Sequence, residues 1–350
     1  MTLLEEIGVS LPIVQAPMAG VSTAELAATV CNAGTLGSLG VAATDAAGAR
    51  AMIEQLRALS ARPFNVNLFV HQPTPVDPVR EAGWLGAMTP LFAQFGAAPP
   101  TALRPIYKSF LEDDAMRVML LDRPPAVVSF HFGVPSADQI AALKAAGCVL
   151  LATATSLDEA LAVKRAGIDA VVAQGWEAGG HRGVFDPEAP DDRLGTMALT
   201  RLLVSRSGLP VIAAGGIMDG RGIRAALDLG AIAAQLGTAF VGCPESSADA
   251  AFRMALAGPA AAHTLMTTAI SGRPARSLPN SFTAWGERVG VPHAGYPMTY
   301  DAGKALIAAE RAAGETGYAA QWAGQGAPLS RALPAAELVA RLRADMDGAG

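Results

Sequence analysis

Gly175, Gly179, Gly180 and Gly183 crowd around Glu177, His181 and Arg182, so that ionisable side chains sit in a stretch with little side-chain bulk. A histidine titrates near neutral pH and can carry a proton to or from a reacting atom. Glycines beside it let backbone close on a flat or phosphorylated ligand. A tight turn with a solvated His181 and Arg182 is the plain alternative. The residues before it favour chemistry. Asp169–Gln174 is a short apolar run with β-branched residues, the length of a buried strand. The end of a buried parallel strand is where an α/β enzyme usually keeps its reacting groups. Two further glycine steps, Gly215-Gly216 and Gly237-Thr238, also follow short apolar runs. No Walker or dinucleotide-fingerprint spacing is present.

These groups need a scaffold, and the chain supplies one by repetition. Strands are expected at Leu11–Met18, Gly34–Gly40, Phe64–Val70, Ala126–Phe132, Cys148–Thr153, Asp169–Gln174, Pro210–Ala214 and Ala233–Gly237. Between them lie helices with signals at their ends: Ser22 or Thr23 before Ala24–Asn32, Ser136 before a helix ended by Gly147, Ser156 before one ended by Gly167. Eight βα units close naturally, so a TIM (β/α)8 barrel is expected, with an open doubly wound sheet as the alternative. In such barrels the loops after the last two strands often bind phosphate through backbone N–H groups, and Gly215-Gly216 and Gly237-Thr238 fall there.

Two stretches break the repeat. His71–Pro105 is proline-rich and reads as an excursion with one or two short helices. After Val241 the pattern turns to helices and loops without a convincing strand, including Glu245–Gly258 and Thr299–Ala313. This is the α-helical insertion domain near the C-terminus, expected at 242–331 over the barrel's open face. The barrel itself is expected to comprise 1–241 and 332–350. Pro334–Met346, with Leu338, Leu342 and Met346 on one face, reads as its last helix.

Composition narrows the partners. Of 350 residues, 51% are hydrophobic and 16% charged, and the net charge is −5, so a nucleic-acid partner is not expected. The most apolar windows, such as Ala231–Cys243, fall short of the roughly 20 residues of a spanning helix. The start, MTLLEEIG, lacks a basic segment and does not read as a signal peptide. Cys31, Cys148 and Cys243 show no metal-ligand spacing and read as reduced thiols of a cytoplasmic enzyme.

QAPMAG, FNVNLF, VVSFHFG, QGWEAGGHRG, IAAGGI and QLGTAF, in that order, resemble the FMN-dependent nitronate monooxygenases, and the resemblance spans nearly the whole chain. It implies FMN across the C-terminal ends of the strands. The phosphate would sit on Gly216 and on Gln235, Leu236, Gly237 and Thr238. Ala16, Pro17, Met18, Asn67, Gln174, Gly179, Gly180 and Gly215 would contact the remainder. The amides of Asn67 and Gln174 suit a flavin edge; for Asn67 the alternative is a hydrogen bond to a neighbouring strand. His181 matches the histidine beside the flavin, as a base toward neutral nitroalkanes or an electrostatic partner of the nitronate. His131, Tyr107, Tyr296, Tyr300 and Lys304 match substrate-side positions. By spacing alone Tyr296, Tyr300 and Lys304 are a half-buried stripe, and Pro297 argues against a helical Tyr296. Lys304 would hold an anionic substrate.

The implied reaction is oxidation of an alkyl nitronate, such as propionate 3-nitronate, with O2 to a carbonyl compound and nitrite, by a monomer or homodimer with no metal. Two alternatives stay open: an NAD(P)H-dependent FMN reductase of quinones or enoyl thioesters on the same barrel, and a flavin-free phosphate-binding synthase or isomerase.

Overall fold

The eight expected strands form one parallel sheet in the computed structural model, which describes residues 1–348; residues 349–350 of the expected barrel segment lie outside the described residues. In chain order they are β1 (Ile13–Gln15), β2 (Gly37–Gly40), β3 (Phe64–Phe69), β4 (Val127–His131), β5 (Val149–Ala154) and β6 (Ala170–Gln174). A two-residue strand, β7 (Gly180–His181), then precedes β8 (Val211–Ala214) and β9 (Ala233–Leu236). The sheet runs β1-β9-β8-β6-β5-β4-β3-β2, and a parallel bridge from Val14 to Leu36 joins its two edges into a barrel. Strands this short and this buried close because every edge N–H and C=O then finds a partner.

The core follows from burial on both faces of the strands. Leu39, Val66, Val128, Leu150 and Val171 pack outward with Ala27, Ile53, Leu143 and Leu199 of the surrounding helices. Val14, Leu36, Val127, Leu151, Val172 and Ile212 join Leu4 and Val9 in an inner cluster. The N-terminal helix Leu3–Glu6 thereby plugs the N-terminal end of the barrel and leaves the C-terminal end for a site. The helix Ala335–Met346 buries Leu338, Val339 and Leu342 with Leu26 of the helix Ala24–Asn32 and Ile223 of the helix Gly220–Asp228. Thr23, not Ser22, caps Ala24–Asn32; the Ser22 hydroxyl instead accepts from the Met18 N–H.

The two irregular stretches differ from expectation. The excursion contains a 17-residue helix, Pro78–Gln94, rather than short ones. Pro78 occupies its first turn, where no N–H is needed, and Asp77 caps it. Pro90 lies inside this helix, which is held by the burial of Trp84, Met88, Leu91 and Phe92 against Ile270, Phe282, Met298 and Leu306. Among helices of nine or more residues, Asp114–Asp122 and Thr196–Arg206 carry no expectation from the sequence. The insertion, expected without a convincing strand, contributes β10 (Leu265–Thr267) and β11 (Ala275–Ser277), which form an antiparallel sheet with β7 in the order β10-β11-β7. Three-residue strands carry no readable period; they exist here because distant segments pair. Among the described residues no helix is long and apolar enough to cross a membrane.

Candidate active site

The C-terminal ends of the strands open into one cavity covered by the insertion. Its wall includes Ala16, Pro17, Met18, Asn67, Tyr107, His131, Gln174, Gly179, Gly180, His181, Gly215, Gly216, Gln235, Gly237, Thr238 and Tyr300. Three expected residues are absent from the wall. Leu236 alternates to the other face of β9 and is buried among the helices. Tyr296 is buried behind the wall, in a cluster with Tyr107 and Phe132. Lys304 is exposed on the helix Met298–Ala312, with its Nζ 4.9 Å from the Tyr107 ring centre and 5.6 Å from that of Tyr300. Tyr296 lies outside that helix, as Pro297 suggested. The wall also holds residues not singled out in the sequence: Phe69, Ser129 and Thr153 from strands, and Trp322, Gly324 and Gly326 from the insertion. Ser129 lies within VVSFHFG and could have been found there; nothing local marks Trp322.

One end of the cavity is built from backbone. Gly216 has φ +69°, and a Cβ there would lie 3.1 Å from Glu177 Cβ. The Glu177 carboxylate faces away, accepting from the backbone N–H of Thr196 at 2.8 Å and from its hydroxyl at 2.9 Å. Among the described residues nothing accepts the N–H of Gly216 or Gly237, and no lysine, arginine, aspartate or glutamate lines the cavity. Unpartnered N–H groups on glycines, without a competing side chain, suit a phosphate. The Thr238 hydroxyl accepts from the N–H of Gly324 at 2.9 Å, tying this end to the insertion.

The other end is aromatic and tightly hydrogen-bonded. Asn67 donates its Nδ2 to the Ser129 Oγ at 2.9 Å and carbonyl at 3.2 Å, so the cross-strand bond exists and the side chain still reaches the cavity. Gln174 spends its amide on the loop: Nε2 donates to the His181 carbonyl at 2.9 Å, and Oε1 accepts from the Gly183 N–H at 2.7 Å. The His131 Nε2 lies 3.1 Å from that same carbonyl, which can only accept, so it carries the proton; Nδ1 then accepts from the Thr153 hydroxyl at 3.0 Å. Both nitrogens of His131 are thus engaged within the protein.

His181 follows Gly180 on β7, where it pairs with Ala275 of β11. Its ring lies 5.1 Å from Trp322 and 5.9 Å from Tyr300, centre to centre, and its Nε2 is 2.9 Å from Ser271 Oγ. Burial, with His131 and the Arg273 guanidinium nearby, pushes its pKa down to about 3. Burial likewise lowers His131 to about 4. Arg273 is itself buried, 4.2 Å from the Phe132 ring centre, and bonds the carbonyls of Val184 and Phe185. Arg182 does not reach the cavity: it is buried and paired with Asp191 at 2.7 Å. Phe132, at φ +75°, holds an unfavourable backbone conformation that places its ring between His131, His181 and Tyr296.

Residues 1–345 match the pattern of the nitronate monooxygenase family. The chain belongs to this family. A nitronate monooxygenase from Paraburkholderia phytofirmans is 62% identical, over 98% of this chain and 94% of that one. One from Pseudomonas aeruginosa is 58% identical, over 98% of both. Among solved structures, a nitroalkane oxidase from Streptomyces ansochromogenes superposes with a TM-score of 0.92 at 42% identity, covering 99% of each chain. FabK from Thermotoga maritima shares the architecture more distantly, with a TM-score of 0.74 at 27% identity over 99% of this chain and 96% of that one. The nitronate monooxygenase pattern therefore spans both the barrel and the insertion that covers its mouth.

Proposed function

We propose that the protein is an FMN-dependent enzyme that oxidises alkyl nitronates with O2 to a carbonyl compound and nitrite. The observation that carries the reading is the pairing, in one cavity, of a glycine cradle with free N–H groups and a neutral histidine at the aromatic end. Family membership supports the reaction class. The residues fit FMN: Gly216, Gly237 and Thr238 would hold the phosphate, while Asn67 Oδ1 and the second Nε2 hydrogen of Gln174 would meet the ring edge. FMN, when bound, supplies the electron acceptor that O2 reoxidises.

The protein's own groups then have distinct tasks. A preformed nitronate needs no base; it needs orientation and N–H donors or positive charge near its oxygens. A neutral nitroalkane must first lose an α-proton, and the neutral ring of His181 is in the form that accepts one. Its lowered pKa argues against a standing positive charge at this position. Tyr107, Tyr300 and Trp322 enclose the substrate and exclude water. Lys304, exposed beside Tyr107 and Tyr300, adds positive charge near the entrance.

The test begins with the purified protein. Heat release and chromatography should yield FMN; FAD, or no flavin, would reject the site assignment. Anaerobic mixing with propionate 3-nitronate should then reduce the flavin, while NADH and NADPH should leave it oxidised. Rapid bleaching by either pyridine nucleotide, with none by nitronate, would move the protein to the reductase class.

A further inference from the structure

Ser271 lies in the turn between β10 and β11 and is completely buried. Its Oγ is 2.9 Å from His181 Nε2, 3.2 Å from the carbonyl of Arg273 and 3.4 Å from the N–H of Arg273. A hydroxyl has one proton to give. The Arg273 carbonyl can only accept, and among the described residues no other group donates to it. Sending the Ser271 proton to His181 would leave that buried carbonyl unpaired, an arrangement proteins avoid. The proton therefore goes to Arg273, and the oxygen accepts from the Arg273 N–H and from His181 Nε2–H. Among the described residues nothing bonds His181 Nδ1, and the ring lines the cavity. The backbone of His181 is fixed as well, since its carbonyl accepts from both Gln174 and His131.

We propose that Ser271 is a positioning residue that holds His181 in the Nε2–H tautomer and leaves the lone pair on Nδ1 to take the α-proton of a neutral nitroalkane. The proposal rests on the reading of His181 as the base. In the step, the α-C–H bond breaks, its proton goes to Nδ1, and its electron pair forms the C=N bond of the nitronate as charge moves onto the nitro oxygens. The imidazolium that results keeps its Nε2–H on Ser271, so the ring need not turn between turnovers.

The experiment uses the FMN-loaded protein, labelled with 15N-histidine and examined by NMR at pH 7.5, with His181→Asn to assign the resonance. His181 should show an unprotonated Nδ1 and a protonated Nε2. Ser271→Ala should mix the two tautomers and lower kcat/KM for nitroethane by about tenfold or more, while preformed ethylnitronate changes by less than about twofold. Ser271→Thr, which restores the oxygen, should recover both. A wild-type His181 protonated on Nδ1 overturns the proposal even if no Ser271 variant folds. So does an unchanged tautomer pattern in folded Ser271→Ala. If the tautomer is as expected but His181→Asn still turns over nitroethane at the wild-type rate, the base reading fails and the tautomer assignment stands.

Discussion

The role proposed for His181 is that of a base rather than of a cation. Its folded pKa of about 3 keeps the ring neutral throughout ordinary working pH. His181→Asn should therefore lower kcat/KM for nitroethane by about 100-fold or more, in the range typical of a lost general base, and spare most activity on ethylnitronate. The pH dependence has a definite sign. A neutral base works above its pKa, so wild-type turnover of the neutral substrate should not decline as pH rises through 6.5. A decline there, read from kcat/KM across pH 5.5 to 8.5, would mean that a charged histidine is required. Lys304 leads to a smaller expectation than its charge alone suggests. It is exposed, and exposed ion pairs are worth about 0.2–1 kcal/mol. Lys304→Met should raise KM for propionate 3-nitronate by roughly twofold to fivefold and leave ethylnitronate unaffected. Equal losses on both would assign Lys304 to packing against Tyr107 and Tyr300.

At the scale of elements, the glycine-rich run after β6 is held by its partners as much as by its own sequence. β11 pairs with β7, and the Arg182 N–H donates to the Pro274 carbonyl at 2.8 Å. From the other side, Gly324 closes on it: a Cβ there would lie 2.6 Å from the Glu177 carbonyl oxygen and 2.9 Å from the Gly179 nitrogen. Both neighbours are backbone and cannot rotate away. Gly324→Ala should separate the insertion loop from the Glu177–Gly179 turn and shift Gly324 from Thr238. The expected results are a flavin dissociation constant raised by about tenfold and a lower Tm, read by flavin fluorescence and calorimetry. Unchanged flavin affinity would show that the insertion covers the cradle without shaping it.

For the molecule as a whole, the cover is made from two distant segments, since Pro78–Gln94 packs into the same cluster as Met298–Ala312. Between cover and barrel lie the buried His71 and the partly buried His131 and His181, with folded pKa values of about 4, 4 and 3. Unfolded histidine titrates near 6.5. Between these values the unfolded chain binds more protons than the native one, so stability is greatest above pH 6.5 and falls as pH drops toward 4. Each ring contributes a slope approaching about 1.4 kcal/mol per pH unit. Calorimetry of the loaded protein from pH 7.5 to 4.5 should show a falling Tm. His71→Phe should make that fall shallower; an equal slope would exclude His71 as a contributor.

The eight strands, the capped helices and the glycine steps after β6, β8 and β9 were determined by the sequence itself, because each rests on interactions within a few residues: β-branched runs, caps and glycines at turns. The long helix in the excursion escaped that reading because Pro78 and Pro90 look like breakers until the packing of Trp84 and Phe92 is known. The histidine that lines the cavity was legible in QGWEAGGHRG, but its state was not. Its lowered pKa comes from burial, with His131 and Arg273 nearby, and the hydrogen-bond partner of its Nε2 is Ser271, 90 residues away. Likewise, neither Lys304 lying over the Tyr107 and Tyr300 rings nor β11 pairing with β7 leaves a local mark. Short-range patterns place the groups at the mouth of the barrel; long-range contacts decide their charge, their hydrogen-bond partners and which of them face the cavity.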